Sequence, residues 1–497
     1  MEGTKVINSI NRTFFPDKPI GKLIHNKEKY YYFDTGTNKL FSCTRDDFRI
    51  LEELFGGVTF ENTLSKLSYI YSFDSILKTF HRIHKAIAEQ QILKLKPNNK
   101  FRIANERTDI GDLLDGHINS ITLEITQHCN LACRYCINSN YYSTRNDMSE
   151  DMIYRSIDFL KDHSGNANEV YVGFYGGEPL LKFDLIKRAV YYAQNNLSKK
   201  MNFNLTTNAT KITDETARFL IDQDFSIIVS LDGSKEIHDS NRIYKNEKGS
   251  YLETVRGLEK LLSYSKNKKR GTISTNSVYS PPFSRDKIEA IRHELDIRGI
   301  TRSMISYEMQ ETLSRFYSRD CMKEDLGLLD WALMNSNKEI KRNDDLIRSI
   351  FERQIARFFQ RPLYLKPVCV LMNGCCIPGF RKNYISTSGK IRVCEKISYN
   401  SPTIGDIMTG YDLDSIKRNY INNFIQSGTD MCSKCWLCNL CDLCFASVFD
   451  DSGAINLSKW QSNCKEKAES CERIIRYSLD CFRTKSNRQY LRSIKFS

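Results

Sequence analysis

The sequence predicts an α/β protein built on a partial (β/α)6 barrel, with a small domain before it and a cysteine-rich domain after it. Three observations carry this reading. Apolar or alternating runs near 121–126, 170–175, 202–207, 225–231, 272–278 and 300–307 alternate with helical patterns, which implies a parallel sheet. Polar and glycine motifs fall just past the C-terminal ends of these runs, where α/β barrels carry their functional loops. Six units make an incomplete TIM-type barrel, whose open side could admit a large substrate such as a peptide. Twelve of the 17 cysteines lie after residue 365, which marks that region as a metal-bearing unit. At 497 residues the chain has room for about three domains.

Composition narrows the classes further. An odd cysteine count, no secretory pattern in Met1-Glu-Gly-Thr-Lys-Val6 and no apolar run of bilayer length predict a reducing cytoplasm and no membrane partner. Metal ligation then outranks disulfides. The formal charge of +13 is scattered, apart from Lys266–Arg270 and the tail from Arg483 to Lys495. Scattered charge reads as solvated surface with a mild preference for acidic peptides, and it disfavours nucleic acid.

The region 1–100 comes first. Tyr30-Tyr-Tyr-Phe33, the turn Asp34-Thr-Gly-Thr-Asn38 and Lys39-Leu-Phe-Ser42 predict a β-hairpin. Thr44-Arg-Asp-Asp47 predicts a capping box that opens a helix with Phe48, Leu51 and Phe55 on one face. A later helix carries Phe80, Ile83 and Ile87. A short sheet followed by about three amphipathic helices resembles the winged-helix-like leader-recognition domain of enzymes that modify ribosomally made peptides. That resemblance implies an extended leader peptide added to the sheet edge. A DNA-binding wing and a purely structural cap on the barrel are the alternatives. The stretch from Lys94 to Arg107 is the expected linker.

The barrel, expected over 116–320, holds the most specific motif. Cys129-Asn-Leu-Ala-Cys133-Arg-Tyr-Cys136 follows the run Ile121–Thr126, so three soft ligands share one loop at a strand end. Iron-sulfur clusters usually take four thiolates, and three leave one iron for an outside ligand. Gly176-Gly177-Glu178-Pro179 ends the next strand, Asn208 and Ser230 end the two after it, and Ile237-His-Asp239 and Asn241-Arg242 follow. Helices with Ile153, Ile157 and Leu160, and with Leu252, Val255, Leu258 and Leu261, separate the strands. Together these motifs resemble the radical S-adenosylmethionine (SAM) enzymes. The resemblance implies that the open iron chelates the cosubstrate's methionyl part, and that its reductive cleavage gives a 5′-deoxyadenosyl radical that removes a substrate hydrogen. It also implies that the Gly176–Pro179 turn receives the cosubstrate's ammonium group. Asn208 and Ser230 would be further contacts, and Arg242 a candidate for the carboxylate. A zinc knuckle is the bland alternative.

Residues 321–365, with helices around Asp325–Asp330 and Leu346–Phe351, are expected to bridge the barrel and the last unit, 366–480. There Cys376-Ile-Pro-Gly379 leads to Gly389-Lys-Ile-Arg-Val-Cys394, preceded by Cys369 and Cys375. Cys432, Cys435, Cys438, Cys441 and Cys444 follow, with Cys464 beyond. This pattern resembles the SPASM domain, which houses two auxiliary 4Fe-4S clusters, although Cys441 and Cys444 are one residue closer than usual and Cys438 is extra. The resemblance implies one auxiliary cluster on Cys376, Cys394 and Cys444, with Cys369 or Cys375 completing it or leaving an iron open. It implies a second on Cys432, Cys435, Cys441 and Cys464. Paired tetrahedral zinc sites are the alternative. Cys43, Cys321, Cys471 and Cys481 read as ordinary thiols.

These parts point to a radical SAM peptide maturase carrying SAM and three 4Fe-4S clusters, served by a flavodoxin or ferredoxin. Its expected product is a cysteine sulfur-to-carbon thioether in a Cys-rich precursor. Carbon-carbon cross-linkers and sulfatase-maturing enzymes share both cluster domains and are the nearer alternatives. A zinc protein that binds nucleic acid is the distant one.

Overall fold

The computed structural model describes residues 2–97, 102–103, 110–114, 116–136, 145–165, 167–266, 272–280, 284–300, 303–307, 355–372, 374–380, 382–481, 488–489 and 492. The expected bridge helices near 325–330 and 346–351, Cys321 and most of the basic tail lie outside them.

The chain opens with helix α1 (Glu2–Phe14), followed by strands β1 (Gly21–Asn26), β2 (Lys29–Asp34) and β3 (Lys39–Cys43). These strands form an antiparallel sheet in the order β1-β2-β3. Helices α2 (Arg45–Phe55), α3 (Phe60–Leu67) and α4 (Phe73–Gln90) complete the unit. The β2–β3 turn is tight because Asn38 takes a left-handed φ of 56° and the Asp34 carboxylate accepts from both Thr37 N–H and Thr37 Oγ1. The capping box at Thr44 is present, with Asp47 N–H donating to Thr44 Oγ1 and Thr44 N–H to Asp47 Oδ2. Helix α1 adds an element that the hairpin-and-helix pattern did not predict. Val6, Ile10 and Phe14, four residues apart, bury one face of it in a core with Ile76, Phe80 and Ile83.

The expected linker is partly structured: β4 (Arg102–Ile103) pairs with β11 (Val370–Leu371). Helix α5 (Ile110–Leu114) precedes the barrel. Its units run β5 (Ser120–Thr126), α6 (Glu150–His163), β6 (Glu169–Gly176), α7 (Phe183–Asn196), β7 (Lys200–Thr207), α8 (Asp214–Asp222), β8 (Ser226–Ser230), α9 (Lys235–Asn241), α10 (Tyr251–Ser265), β9 (Thr272–Tyr279), α11 (Arg285–Asp296) and β10 (Ser303–Tyr307). All six strands are parallel and pair in chain order, so the α/β partial barrel is the observed fold. Ile121, Leu123, Val172, Phe174, Leu205, Ile227 and Val229 fill the core against Ile153, Ile157, Leu160, Ile186 and Leu258.

After β11 come β12 (Asn383–Ile385), β13 (Lys390–Arg392), β14 (Gly405–Asp406) and β15 (Gly410–Tyr411), then helices α12 (Asn423–Cys432) and α13 (Leu457–Cys481). Strand β12 pairs in parallel with β5, so the C-terminal unit continues the barrel sheet to ten strands. The N-terminal sheet leans on this unit as well. Ile24 and Phe33 pack with Phe358, Leu437, Leu440, Ile475 and Leu479. Thr35 Oγ1 donates to Trp436 O at 2.7 Å, and Asn439 Nδ2 to Thr35 O at 2.6 Å. Among the described residues no helix is long and apolar enough to cross a membrane.

Candidate functional site

The loop after β5 carries Cys129, Cys133 and Cys136, and two neighbours hold it. On one side the end of β6 lies directly on it, with Gly177 N–H donating to Thr126 O (2.8 Å) and Glu178 N–H to His128 O (2.9 Å). Only glycine allows that approach, because a Cβ on Gly176 would stand 2.1 Å from Thr126 O and one on Gly177 2.2 Å from His128 O. On the other side Ala132 N–H donates to Ile243 O (2.7 Å) and Arg134 N–H to Asn241 O (3.0 Å). Burial pushes the Cys129 thiol up to about 11 and the Cys133 thiol up to about 12. Each of these two sulfurs also feels Cys136.

The expected cosubstrate residues sit around this loop, with several side chains already engaged. The Glu178 carboxylate is buried and accepts from Leu180 N–H (3.1 Å), Thr207 Oγ1 (2.7 Å) and Asn208 N–H (2.7 Å). Burial pushes its pKa up against those bonds. Pro179 opens a single 3-10 turn. The Asn208 side chain donates to Asn130 Oδ1 (3.1 Å) and accepts from Thr210, so it braces the cysteine loop. Ser230 is the last residue of β8 and half-buried. Arg242 donates from Nε to Asp232 Oδ2 (2.9 Å), and its guanidinium lies 5.3 Å from the Tyr135 ring centroid.

Sequence reasoning missed a buried network between β5 and the C-terminal unit. Glu124 accepts from Gln127 Nε2 (3.1 Å), Tyr384 Oη (3.0 Å) and Thr387 N–H (3.1 Å). Gln127 also donates to Tyr399 Oη (3.0 Å). His238, quoted in the Ile237–Asp239 motif without a role, accepts at Nδ1 from Asp232 N–H (3.4 Å) and donates from Nε2 to Ser250 Oγ (3.0 Å), since Ser250 spends its own hydrogen on Arg242 O (2.8 Å). Burial pulls its pKa down to about 4, so the ring is neutral.

In the C-terminal unit the structure brings Cys432, Cys435, Cys441 and Cys464 into mutual electrostatic reach, and Cys471 also feels Cys435. Cys375 turns inward among Cys444, Cys441, Cys376 and Cys432, while Cys376 is exposed. Of the vicinal pair, Cys375 is the inward residue and Cys376 the exposed one. Cys394 lies beside Glu395 and reaches Tyr175, which Cys136 also reaches. The Cys369 and Cys438 sulfurs lie against each other. The cause is local: Asn439 accepts from Val370 N–H and donates to Val368 O, which lays the two cysteine segments side by side against Ile20 and Leu95.

The donor sets suit iron-sulfur chemistry. Among the described residues no three His, Cys, Asp or Glu side chains gather tightly enough to hold a single metal ion. Structural zinc needs four ligands on one centre, whereas a tetranuclear cluster spreads its thiolates over separate irons. The three thiols of the buried loop after β5 are the donor type of the second case.

A basic groove of about 690 Å³ lies apart from these sulfurs, between α1 and α4. Lys5, Arg12, His84 and Lys94 line it, and no carboxylate does.

Residues 123–295 match the Radical SAM superfamily, so the chain carries a radical SAM domain. An uncharacterized protein of Methanocaldococcus jannaschii is 37% identical over 153 residues, 31% of this chain and 51% of that one. The cysteine-type anaerobic sulfatase-maturating enzyme of Clostridium novyi is 29% identical over 145 residues, 28% of this chain and 39% of that one. The radical SAM cyclopropyl synthase TigE of Paramaledivibacter caminithermalis is 24% identical over 220 residues, 42% and 43% of the two chains. The matches thus span about half or less of these relatives' lengths. A solved structure described as native anSMEcpe with bound AdoMet and Cp18Cys peptide aligns with a TM-score of 0.54 at 18% identity, over 73% of this chain and 99% of that one, and shares the fold.

Proposed function

We propose that this chain is a radical SAM enzyme that matures a ribosomally made precursor peptide by joining cysteine sulfurs to carbon as thioethers. The observation that carries the reading is the cysteine loop on the C-terminal rim of a partial barrel, backed by a second cysteine-rich unit that shares its sheet. The Cys129, Cys133 and Cys136 thiolates would hold a 4Fe-4S cluster with one iron open to SAM. SAM bound there would supply a 5′-deoxyadenosyl radical for hydrogen removal. Backbone acceptors at Gly176 and Gly177 would receive the ammonium group, with Ser230 nearby.

Auxiliary sites would use Cys432, Cys435, Cys441 and Cys464, and Cys375 with Cys444 and Cys394. We assign residues 1–100 to leader recognition, 116–320 to the radical SAM core and 366–480 to a SPASM unit. A leader strand would add to the free edge of β3, and the basic groove between α1 and α4 suits an acidic leader. A flavodoxin or ferredoxin would deliver the electron in the cytoplasm.

The test is anaerobic incubation of reconstituted protein with a precursor, SAM and a reductant, followed by mass spectrometry. Loss of two hydrogens per cross-link, with the affected cysteines no longer alkylatable, is the expected result. Deoxyadenosine formed while every cysteine stays alkylatable would retain the radical core and remove the thioether reading. Sulfatase maturation is the second reading, favoured by the relative from Clostridium novyi. Conversion of a sulfatase-derived peptide, with none of the leader-bearing precursor, would decide for it.

A further inference from the structure

Arg242 belongs to the most deeply buried ion pair among the described residues. It forms a buried ion pair with Asp232, the two side chains being 8% and 1% exposed. Both Asp232 oxygens are taken, Oδ1 by Val278 N–H (2.8 Å) and Oδ2 by Arg242 Nε and by Tyr135 Oη. Tyr135 belongs to the cysteine loop, and the guanidinium stacks over its ring.

Register makes the placement functional. Ala132 bonds to Ile243 and Arg134 to Asn241, and Leu131 bridges Tyr244 in antiparallel fashion. Residue 133 therefore stands opposite residue 242, which sets a permanent cation across from the central cysteine. Stability does not account for this arrangement, because desolvating two charges costs about what their attraction returns. Its effect is electrostatic. Reducing a cluster adds one electron to a group already bearing three thiolates, and net charge and hydrogen bonding nearby set that potential. A fixed cation in a low-dielectric wall favours the more negative state. The pair with Asp232 is a fixed dipole whose cationic member is the residue that stands opposite Cys133.

Resting on the reading that the triplet holds a cluster, we infer that Arg242 is a positioning residue for the cluster loop rather than a ligand of the cosubstrate carboxylate. Clamped by Asp232 and Tyr135 opposite Cys133, it raises the cluster's reduction potential. The step it eases is transfer of one electron from an external low-potential donor to the cluster, with no proton moved.

The experiment is a dithionite-poised titration of the reconstituted holoenzyme followed by electron paramagnetic resonance, with SAM affinity measured in parallel by calorimetry. In Arg242→Gln the reduction equilibrium constant should fall at least tenfold, about 59 mV for a one-electron couple, with iron content retained. Arg242→Lys keeps the charge and should stay within about threefold. If Arg242→Gln does not fold, the neutral double variant Asp232→Asn with Arg242→Gln should shift in the same direction. An unmoved potential with SAM binding weakened tenfold would overturn the inference and return Arg242 to the carboxylate. A native chain that takes up no iron or sulfide would remove the cluster reading itself, a failure distinct from an unmoved potential in a loaded protein.

Discussion

Glu178 shows how a motif residue can act through its neighbours. Its carboxylate fastens Thr207 and Asn208 at the end of β7 to the turn that supports the cysteine loop. Replacing it with Gln removes one of three charge-assisted acceptor bonds, a loss of about 1–3 kcal/mol that should appear as a lower Tm. His238 makes a pH prediction. Its pKa in the fold is depressed to about 4 from an unfolded value near 6.5. The stability it contributes is therefore fully present above pH 6.5 and is lost as pH falls toward 4, because the unfolded chain binds the proton first. The shift amounts to about 3 kcal/mol. Thermal scans of His238→Gln should show a shallower acid slope than the native chain over that window. The cysteine triplet was legible because its ligands are adjacent in sequence. Tyr135, Asp232 and Arg242 were not legible as a unit, since their convergence depends on the ends of different strands meeting. Nor could spacing choose between Cys375 and Cys376, or pair Cys369 with Cys438.

Among the elements, the strands were read best. Alternating or continuous apolar runs at 121–126 and 170–175 became β5 and β6 with bounds within a residue or two, because a buried parallel strand must be apolar almost throughout. Strand β12 escaped because Asn383-Tyr384-Ile385 is three residues long, and only its pairing with β5 on one side and β13 on the other makes it a strand. Helix α1 escaped although Val6, Ile10 and Phe14 recur every four residues, the spacing of one helix face. The capping box that opens α2 was legible and predicts a measurable cost. Thr44→Ala leaves Asp47 N–H without its acceptor, so the N-terminal unit should lose about 1 kcal/mol. A Tm lower by about 2 °C by circular dichroism would agree with that figure; an unchanged Tm would show that solvent replaces the cap.

At the scale of the whole molecule, charge and assembly meet. With a net charge of +13 and a groove bearing Lys5, Arg12, His84 and Lys94, association with an acidic leader should weaken as salt rises. Fluorescence anisotropy of a labelled precursor should show this dependence, and a Lys5→Glu, Arg12→Glu variant should flatten it while leaving iron content unchanged. Binding that ignores both salt and these substitutions would move the docking site elsewhere.

The β5–β12 ladder also bears on any attempt to divide the chain. Strand β5 carries the cysteine loop at its end, and among the described residues its outer row of N–H and C=O groups is covered by residues about 260 positions further on. Severing the polypeptide after the barrel would bare that row, an invitation to edge-to-edge aggregation. A fragment that ends after the barrel should therefore aggregate where the full chain does not, because the C-terminal unit covers the strand that leads into the cysteine loop.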